Sequence, residues 1–578
     1  MAQELKSINL VAPGFKGINT EDSPLAQDPS FADIADNAVI DKRGRIAARK
    51  GFSLLTQSTY EYVVVDDTTG FAVDETITGG TSGATATITE IYNGTVFLIA
   101  ATRVGTFSAS ETLTGSVSAA TATYSSTQTS VSVSSSPIRA IKEFRDDLGN
   151  LKVFSTANNK IISGTETLVD ETPSGYSITA NEWKIVNFND KIYFFQRAHE
   201  PLVYDNTSKA VAKLSTVSGA AGVTSAMYGN EVLAAYGRLW TADFSSNKST
   251  VYWSDLLIGH DWTGGTSGSI NISKVWPDGY DEIVSLAAHN NMLIIFGKRS
   301  IVVYSGADDP ATMALMDTVS GIGCVGRDTV QYTGSDVLFL SQNGLKSFGR
   351  TIQEKSMPLS TLSSTVSKDI IQLINEANEL YKSVYHPEEN FYLLTFSNQN
   401  ITYCFDIRGT LENGSYRATR WPGTGFTCYE SRDDGSLLIG SADGFGNYSG
   451  YLDNGNTYGF KYYSPELSFG DTSKLKFLKK INPTVVGGSG LTVLFKWGYD
   501  FTSVFDTVPV LLKTDAVAEF NVDEYTSGQF SKGILTTRQP INASGSGNTL
   551  RIGVETEING GQLSLQEINV LALLGRTL

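Results

Sequence analysis

The sequence of 578 residues contains only three cysteines and four histidines. An odd number of cysteines without a CxxC pair indicates neither a disulfide framework nor a zinc site, and favours a reducing compartment. No histidine has a second ligand at metal-binding spacing, and the motifs GxxxxGK[ST], HExxH and GxSxG do not occur. We therefore expect no catalytic residue, no metal and no cofactor, in a protein that is not an enzyme. The residues are Cys324, Cys404 and Cys428, and His199, His260, His289 and His386.

The sequence also has no long apolar run and no excess of basic charge. No stretch approaches the ~20 apolar residues of a membrane span, and the N-terminus lacks the apolar core of a signal peptide. We expect a protein made in a cytoplasm and without a membrane span. The 60 acidic and 44 basic residues give a net charge of −16, which argues against tight binding of nucleic acid through its phosphates.

Two short segments resemble parts of enzyme motifs. Gly321-IGCVG matches GxGxxG, but a strand is predicted after it where a dinucleotide site needs a helix. Ser431-RDDGSLL matches the start of a sialidase Asp-box turn, yet position 438 is leucine where that pattern ends in an aromatic residue. Both are predicted to be turns. A carboxylate pair of a glycosidase remains open, because such pairs depend on the fold.

What the sequence does contain is a repeat. Six times an apolar strand, a short polar turn and a second apolar strand follow one another, with starts 45 to 54 residues apart. This spacing is typical of four-stranded propeller blades, and an earlier pair of strands at 141–170 could add a further blade. The six copies begin at Lys191, Gly237, Asn291, Asp336, Asn390 and Gly435.

Other segments surround the predicted propeller. We assign residues 1–59 to an N-terminal arm, a short helix after Pro29 and a hairpin, 60–130 to an inserted β module, 131–455 to the propeller and 456–578 to a C-terminal β-sandwich platform. The inserted module is a duplication, because Phe71-AVDETITG returns as Phe107-SASETLTG. One helix is predicted near 365–382, where apolar residues recur at helical spacing before Pro387. The predicted fold class is therefore mainly β.

The predicted hairpin carries the most basic patch of this acidic chain. Two interpretations are open: a docking surface for an acidic partner, or a solvated hairpin with charges around its turn. The basic residues are Lys42, Arg43, Arg45, Arg49 and Lys50.

Several stretches together resemble one family. Residues 237–262, 281–306 and 320–348 resemble the propeller of virion tail proteins from short-tailed bacteriophages. Residues 17–52, ending in the pattern R-x-x-x-R-K-G-F, look like the start of those proteins, and residues 563–576 are similar to their closing sandwich strand. The nearest family is the tail nozzle, also called tail tubular protein B, and the resemblance covers most of the chain outside 60–130.

The resemblance implies a structural virion protein. Nozzle subunits form a ring, usually of six, below the head-to-tail adaptor ring, and they meet tail fibres or other tail proteins. The genomic DNA passes through the shared lumen without sequence-specific binding. An acidic channel suits this passage, because it repels a phosphate-coated rod. The chain would then conduct and gate genome ejection from the phage tail, after assembly in the host cytoplasm.

Two other classes remain as alternatives. One is a receptor-binding or polysaccharide-degrading tail protein on a propeller scaffold, which would be a monomer or trimer that binds glycan. The other is a cellular propeller module for adhesion or scaffolding, which would form no ring on an adaptor.

Overall fold

The computed structural model describes residues 5–55, 61–92, 94–99, 102–129, 137–146, 149, 151–157, 159–165, 168–179, 182–206, 209–354, 361–376, 379–512 and 536–575. Strands dominate this part of the chain, so the predicted mainly β fold is confirmed. None of the helices within these ranges has the length and apolarity needed to span a membrane.

Most of the predicted repeats form small antiparallel sheets of consecutive strands. Successive side chains of each strand point to opposite faces of its sheet, and both faces are largely buried. This explains the nearly continuous apolar runs in the sequence. In chain order these sheets are Ala140–Arg145, Leu151–Ala157, Lys160–Ser163 and Val169–Asp170; Lys184–Phe188, Lys191–Phe195, Leu202–Asp205 and Ala210–Lys213; Glu231–Ala235, Arg238–Ala242, Thr250–Trp253 and Gly268–Asn271; Ile283–His289, Met292–Gly297, Ser300–Ser305 and Ala314–Ser320; and Gln331–Tyr332, Val337–Ser341 and Gly344–Ser347.

The innermost segments of successive sheets contact one another and close a ring. The contacts run from one segment to the next, and the last segment touches the first. This arrangement is a β-propeller, as predicted, with a cavity on its axis. In order, the segments are Ala140–Arg145, Lys184–Phe188, Glu231–Ala235, Ile283–His289, the 3₁₀ turn Arg327–Thr329, Tyr381–His386 and Cys428–Ser431.

The N-terminal segment completes the last sheet of the ring. Phe52–Leu54 pairs antiparallel with Gly444–Tyr448 at the edge of that sheet. At Gly446 a Cβ atom would lie 2.0 Å from the carbonyl oxygen of Ser53, so the close approach of the two strands requires glycine. The ring is therefore closed by strands from both ends of the propeller sequence. The sheet consists of Cys428–Ser431, Leu437–Ser441, Gly444–Tyr448 and Phe52–Leu54.

One propeller sheet continues into the C-terminal platform. Ile34–Asp36 lies between the propeller strand Arg417–Pro422 and the platform strand Tyr458–Tyr463, and it pairs with both. The result is one nine-stranded sheet, which we call the bridging sheet. In spatial order its strands are Tyr381–His386, Phe391–Phe396, Ile401–Asp406, Arg417–Pro422, Ile34–Asp36, Tyr458–Tyr463, Leu550–Ile558, Thr492–Tyr499 and Asp506–Leu511.

A second platform sheet packs on the bridging sheet. Side chains of both sheets, such as Ile481 and Phe495, belong to one buried cluster, so the predicted β-sandwich is confirmed. The N-terminal strand Leu5–Val11 pairs along its whole length with Leu563–Leu574. The eight strands are Leu5–Val11, Ala38–Ile40, Ile46–Ala48, Lys476–Gly487, Thr536–Arg538, Ile541–Asn542, Ser546–Gly547 and Leu563–Leu574.

The inserted segment forms a small closed barrel. Phe71 and Phe107, the repeated aromatic residues, are both buried in its core. The core also takes Ile77 and Leu113, which occupy equivalent places in the two copies. The strands are Glu61–Val65, Thr76–Gly79, Thr85–Tyr92, Val96–Ile99, Thr112–Gly115 and Thr121–Thr129.

The repeated glutamates link the two copies crosswise. The Glu75 carboxylate accepts hydrogen bonds from the backbone N–H of Ser118 (3.0 Å) and of Val117 (3.2 Å), in the turn of the second copy. The Glu111 carboxylate accepts hydrogen bonds from the N–H of Ser82 (2.8 Å) and of Thr81 (3.0 Å), in the turn of the first. Each copy therefore supplies the acceptor for the other's turn, and the Phe-x3-Glu pattern is a folding motif.

The repeated glycines follow from the same geometry. A Cβ atom at Gly79 would lie 2.6 Å from a carboxylate oxygen of Glu111, and a Cβ at Gly115 would lie 2.6 Å from one of Glu75. Only glycine leaves room for the crossing carboxylates at these positions.

The stability of this barrel is expected to fall in acid. Burial opposes ionisation of Glu111, but the hydrogen bonds from Ser82, Ser108 and Thr81 outweigh it and lower its pKa to about 2. The pKa of Glu75 is also lowered, because the hydrogen bonds from Ser118 and Ala72 outweigh the effect of its burial. A carboxyl group whose pKa is depressed in the folded state stabilises above its unfolded pKa of about 4.3 and loses this contribution as pH falls toward 2.

The measurement is hydrogen exchange of strands Thr76–Gly79 and Thr112–Gly115 in the full chain, corrected for the intrinsic pH dependence of exchange. Protection should be constant from about pH 7 to 5 and decline below about pH 4.5. Protection that is unchanged down to pH 2.5 would contradict the role of the two carboxylates.

The predicted helix near 365–382 is confirmed, but it is shorter than its apolar spacing indicates. A 3₁₀ turn, Ser364–Val366, leads into the α-helix Ser367–Ile374. The chain then enters the bridging sheet at Tyr381, whose hydroxyl group donates to the carbonyl of Ile374 (3.0 Å) at the helix end. Ala377 lies outside the described residues. Pairing with Phe391–Phe396 therefore outweighs helix propensity after Ile374.

The short helix predicted after Pro29 is wrong. The Asp28 carboxylate accepts a hydrogen bond from the Ser30 N–H (2.9 Å), which forms a local turn, and Ile34–Asp36 is taken into the bridging sheet. Other helical segments were not predicted. They are the α-helix Phe348–Glu354 and the 3₁₀ turns Leu214–Thr216, Ser225–Met227 and Arg327–Thr329.

Candidate functional site: the basic hairpin and its cavity

The basic hairpin lies in the platform sheet. Its strands Ala38–Ile40 and Ile46–Ala48 pair antiparallel. Asp41 shapes the turn between them, because its carboxylate accepts the backbone N–H of Arg43 (2.8 Å) and of Arg45 (3.0 Å). Gly44 adopts a φ of +76°, a conformation that favours glycine. These hydrogen bonds and the glycine conformation therefore fix the shape of the turn.

Two of the five basic residues point inward. The Arg45 side chain is buried and pairs with Asp41 (2.7 Å), and it also donates to Gln566 (3.1 Å) on the last strand of the platform. Arg49 is only 2% exposed and donates to both carboxylate oxygens of Asp453. These two arginines hold the hairpin in place and leave no free charge for a partner.

Arg49 lies where three parts of the structure meet. Its Nε donates to the side chain of Asn37 (2.9 Å). Its guanidinium group stacks on the ring of Tyr458 in the platform, 4.2 Å from the centroid, and lies 5.6 Å from the ring of Trp421 in the propeller. A cation between aromatic rings and a carboxylate is a strong link when it is desolvated. Arg49 therefore joins the N-terminal segment to both larger parts.

The other three basic residues reach the surface. Lys50 is partly exposed and pairs with Glu389 of the propeller (2.5 Å). Lys42 and Arg43 stand exposed on the turn, and within the described residues neither side chain has a charged partner. Of the five predicted residues, Arg45, Arg49 and Lys50 form ion pairs, and Lys42 and Arg43 have none within the described part of the chain.

A cavity of about 400 Å³ lies beside the pair, at the junction of propeller and platform. Arg408 closes one side of it: its guanidinium donates to the carbonyl oxygens of Ile40 (2.5 Å) and Asp41 (2.8 Å), and it pairs with Asp406. Burial disfavours this cation, but the hydrogen bonds and charge of Asp406 raise the pKa of Arg408. Other residues that line the cavity are Lys42, Arg43, Lys50, Glu388, Glu389, Tyr451 and Gln562.

The sequence gives no signal for Arg408, because its partners on the hairpin are backbone carbonyls 367 and 368 residues away. The same holds for Asp453, 404 residues from Arg49.

The histidines and cysteines occupy separate places. Among the described residues, no group of three or more His, Cys, Asp and Glu side chains is placed to hold a metal ion. All three cysteines are buried and unpaired. His386 is buried against Phe391, and its burial lowers its pKa. His199 contacts Thr179, and His289 contacts Asn290.

The two motif-like segments are turns. Gly321-IGCVG follows the strand Ala314–Ser320 and leads into the 3₁₀ turn Arg327–Thr329, so no helix of a dinucleotide site follows it. Ser431-RDDG joins two strands of the last propeller sheet, and Asp434 shapes the turn by accepting the Ser436 N–H (2.8 Å).

Fold and site together define a β-propeller protein with a sandwich platform and a basic hairpin at their junction. No protein-family model matches the sequence, and no curated protein matches it. Solved structures do match, and three of them illustrate the low similarity. The WD40 domain of Pan2 from Neurospora crassa is 8% identical, covers 54% of this chain and 88% of its own, and has a TM-score of 0.32.

The other two are similarly distant. Hsv2 from Kluyveromyces lactis is 11% identical, covers 50% of this chain and 100% of its own, and has a TM-score of 0.29. The extracellular domain of BT4673 from B. thetaiotaomicron is 10% identical, covers 89% of this chain and 74% of its own, and has a TM-score of 0.37. At this level of similarity nothing about function passes from these proteins to this chain.

Proposed function

We propose that this chain is a structural, non-enzymatic tail nozzle of a short-tailed bacteriophage virion. It forms a ring, a homo-hexamer, on the head-to-tail adaptor ring and contacts tail fibres or other tail proteins. Genomic DNA crosses the shared lumen without sequence-specific binding, and the ring gates its ejection. The sequence resemblance outside residues 60–130 suggests this function.

The observation that carries the proposal is the course of residues 5–55. They pair in turn with the platform, the bridging sheet and the last propeller sheet. Arg49 and Asp453 then fix the hairpin at the junction. A ring subunit that must withstand the pressure of a passing genome needs such a rigid link between its parts, and a fixed hairpin is a suitable contact to an adaptor.

Charge supports the same proposal. The net charge of −16 suits a wall along which DNA slides. Lys42 and Arg43, which are exposed on the turn and have no charged partner among the described residues, then offer a local attraction for an acidic surface of the adaptor.

The experiment is mass photometry and negative-stain imaging of the purified chain, alone and mixed with the candidate adaptor ring. Adaptor-dependent six-fold rings with a pore wide enough for duplex DNA are expected. A stable monomer or trimer that ignores the adaptor and binds or cleaves glycan would contradict the proposal and favour the receptor-binding or polysaccharide-degrading alternative.

The hairpin gives a sharper prediction. Reversing both free charges, Lys42→Glu with Arg43→Glu, should weaken assembly on the adaptor at least about tenfold, because like charges then face each other across the contact. The fold should persist, since neither side chain is buried. The readout is the fraction of adaptor rings that carry this chain, measured at several salt concentrations.

A matched control reverses two exposed charges on the propeller, Lys274→Glu with Arg299→Glu. The net charge of the chain changes by the same amount, so this variant should assemble like the unmodified protein. Equal loss in both double variants would mean that total charge, and not the hairpin, governs docking.

A further inference from the structure

The propeller encloses a second cavity, of about 590 Å³, on its axis. This size lies in the range of small-molecule sites. Six segments of the ring line it, and its wall is unusually rich in cations for an acidic chain. The basic residues of the wall are Arg139, Lys142, Lys184, Arg327 and Lys382.

One side of the wall carries three cations that remain in contact with solvent. The side chains of Arg139, Lys142 and Lys184 are 23%, 31% and 26% exposed. They belong to or adjoin two neighbouring inner strands, Ala140–Arg145 and Lys184–Phe188, which contact each other. All three therefore lie on one part of the cavity wall.

Two of these cations pair with carboxylates that are less exposed than the cations themselves. Lys142 pairs with Glu430 (2.8 Å) and Lys184 with Glu231 (2.7 Å), and these carboxylates are 12% and 0% exposed. Burial raises the pKa of both Glu231 and Glu430, against the opposing effect of the two lysines. Glu231 lies behind the wall, whereas Glu430 itself lines the cavity beside Lys142.

Two further cations of the wall share one carboxylate. Arg327 and Lys382 share Asp328, at 2.7 Å each. Lys382 also reaches Glu182 (3.2 Å), which is the carboxylate nearest to Arg139. The five cations of the wall thus pair with four carboxylates, and of these only Asp328 and Glu430 line the cavity. The adjoining Arg432 and Glu143 pair with each other (3.0 Å) and leave this balance unchanged.

Arg139 has hydrogen-bonding capacity that the protein does not use. Its Nε is buried and has no hydrogen-bond partner among the described residues. The closest carboxylate oxygen, on Glu182, is 3.5 Å away, which is too far for a good hydrogen bond of this kind. A buried donor without an acceptor is costly, and it marks a place where a ligand oxygen would be stabilised.

We propose that the axial cavity of the propeller binds a small oxyanion with two or more negative charges. Arg139 and Lys142 donate to its oxygens, and Lys184 stabilises it by charge. Such a ligand is a phosphate compound or a polycarboxylate, because both present several acceptor oxygens in a compact volume. This site is independent of the hairpin and of assembly on an adaptor.

The test is calorimetric titration of the full chain with inorganic pyrophosphate and, separately, with citrate at about 0.15 M salt. Saturable binding with one site per chain and a Kd of about 10–100 μM is expected for at least one of them. Pyrophosphate alone would identify phosphate chemistry, and citrate alone would identify carboxylate chemistry. Absence of saturable binding of either anion at about 10 mM would overturn the proposal.

Variants connect the binding to the cavity. Arg139→Gln should weaken binding of the anion at least about tenfold, since it removes one charge and the unused Nε donor. The melting temperature without ligand should stay within about 2 °C, because among the described residues Arg139 loses no hydrogen bond through Nε and only a long ion pair with Glu182 (3.5 Å). Arg139→Lys keeps the charge and should retain part of the affinity.

Lys142→Gln is a second variant and should weaken binding in the same way. The matched control is Lys160→Gln, which breaks a comparable pair with Asp170 (2.8 Å) on an outer strand of the first propeller sheet. It should leave affinity unchanged. If Lys160→Gln weakens binding as much as the two cavity variants do, the anion binds elsewhere and the proposal is wrong.

Discussion

Replacing Arg49 by methionine is expected to lower the melting temperature by roughly 2 °C or more. The change removes the partner of Asp453 and leaves the Asn37 amide oxygen without the Arg49 Nε donor. Removing one member of a buried ion pair costs about 3 kcal/mol or more, because the other charge is left behind. The aromatic contacts with Tyr458 and Trp421 are also lost.

Differential scanning calorimetry of the full chain measures this effect. Arg49→Lys keeps the charge but not the paired hydrogen bonds, and should fall between methionine and the unmodified protein. Lys42→Met is the control, since Lys42 is exposed, and should change the melting temperature by less than about 1 °C. Equal stability of Arg49→Met and Lys42→Met would show that Arg49 does not hold the junction together.

Replacing Glu75 by alanine is expected to open the small barrel. The backbone N–H groups of Ala72, Val117 and Ser118 lose their common acceptor. Hydrogen bonds to a charged group contribute about 1.5–3 kcal/mol each to stability. Because water replaces part of this contribution, we expect the barrel to lose about 3 kcal/mol of its free energy of unfolding. If the barrel opens locally, the protection of its amides should fall about 100-fold.

Hydrogen exchange at strands Thr112–Gly115 and Thr121–Thr129 gives the readout, because Glu75 lies in the first copy and these strands in the second. Val117→Ala is the control; this side chain is 81% exposed and makes no contribution to the core. Loss of protection confined to the first copy would contradict the crosswise arrangement.

The sequence predicted the parts of the fold that local patterns determine. The repeated strand pairs are each coded by adjacent residues, as in Met292–Gly297 with Ser300–Ser305, so their apolar alternation was sufficient. The apolar spacing also predicted the helix, but it did not predict that the helix ends at Ile374. Tyr381 continues the apolar stripe of the helix and yet pairs with Phe396, and this competition is decided by the sheet.

Long-range pairings were beyond sequence reasoning. Ile34–Asp36 reads equally well as a helix turn or a strand, and its partners come from residues 420 and 461–463. The candidate site shows the same division. The basic character of the hairpin was predictable, whereas the burial of Arg49 depends on Asp453 and on two aromatic rings that no local pattern connects to it.

The pairing of the N-terminal segment with the end of the chain has a consequence for synthesis. Leu5–Val11 and Phe52–Leu54 leave the ribosome first, but their partners, Leu563–Leu574 and Gly444–Tyr448, are made much later. Contacts of such high sequence separation form slowly, because a long loop must close first. The early strands therefore remain unpaired until their partners have been synthesised, and unpaired strands are prone to aggregation. We expect the middle propeller sheets to fold during translation, ring closure to follow once Gly444–Tyr448 has been made, and the platform to form only after Leu563–Leu574 is released.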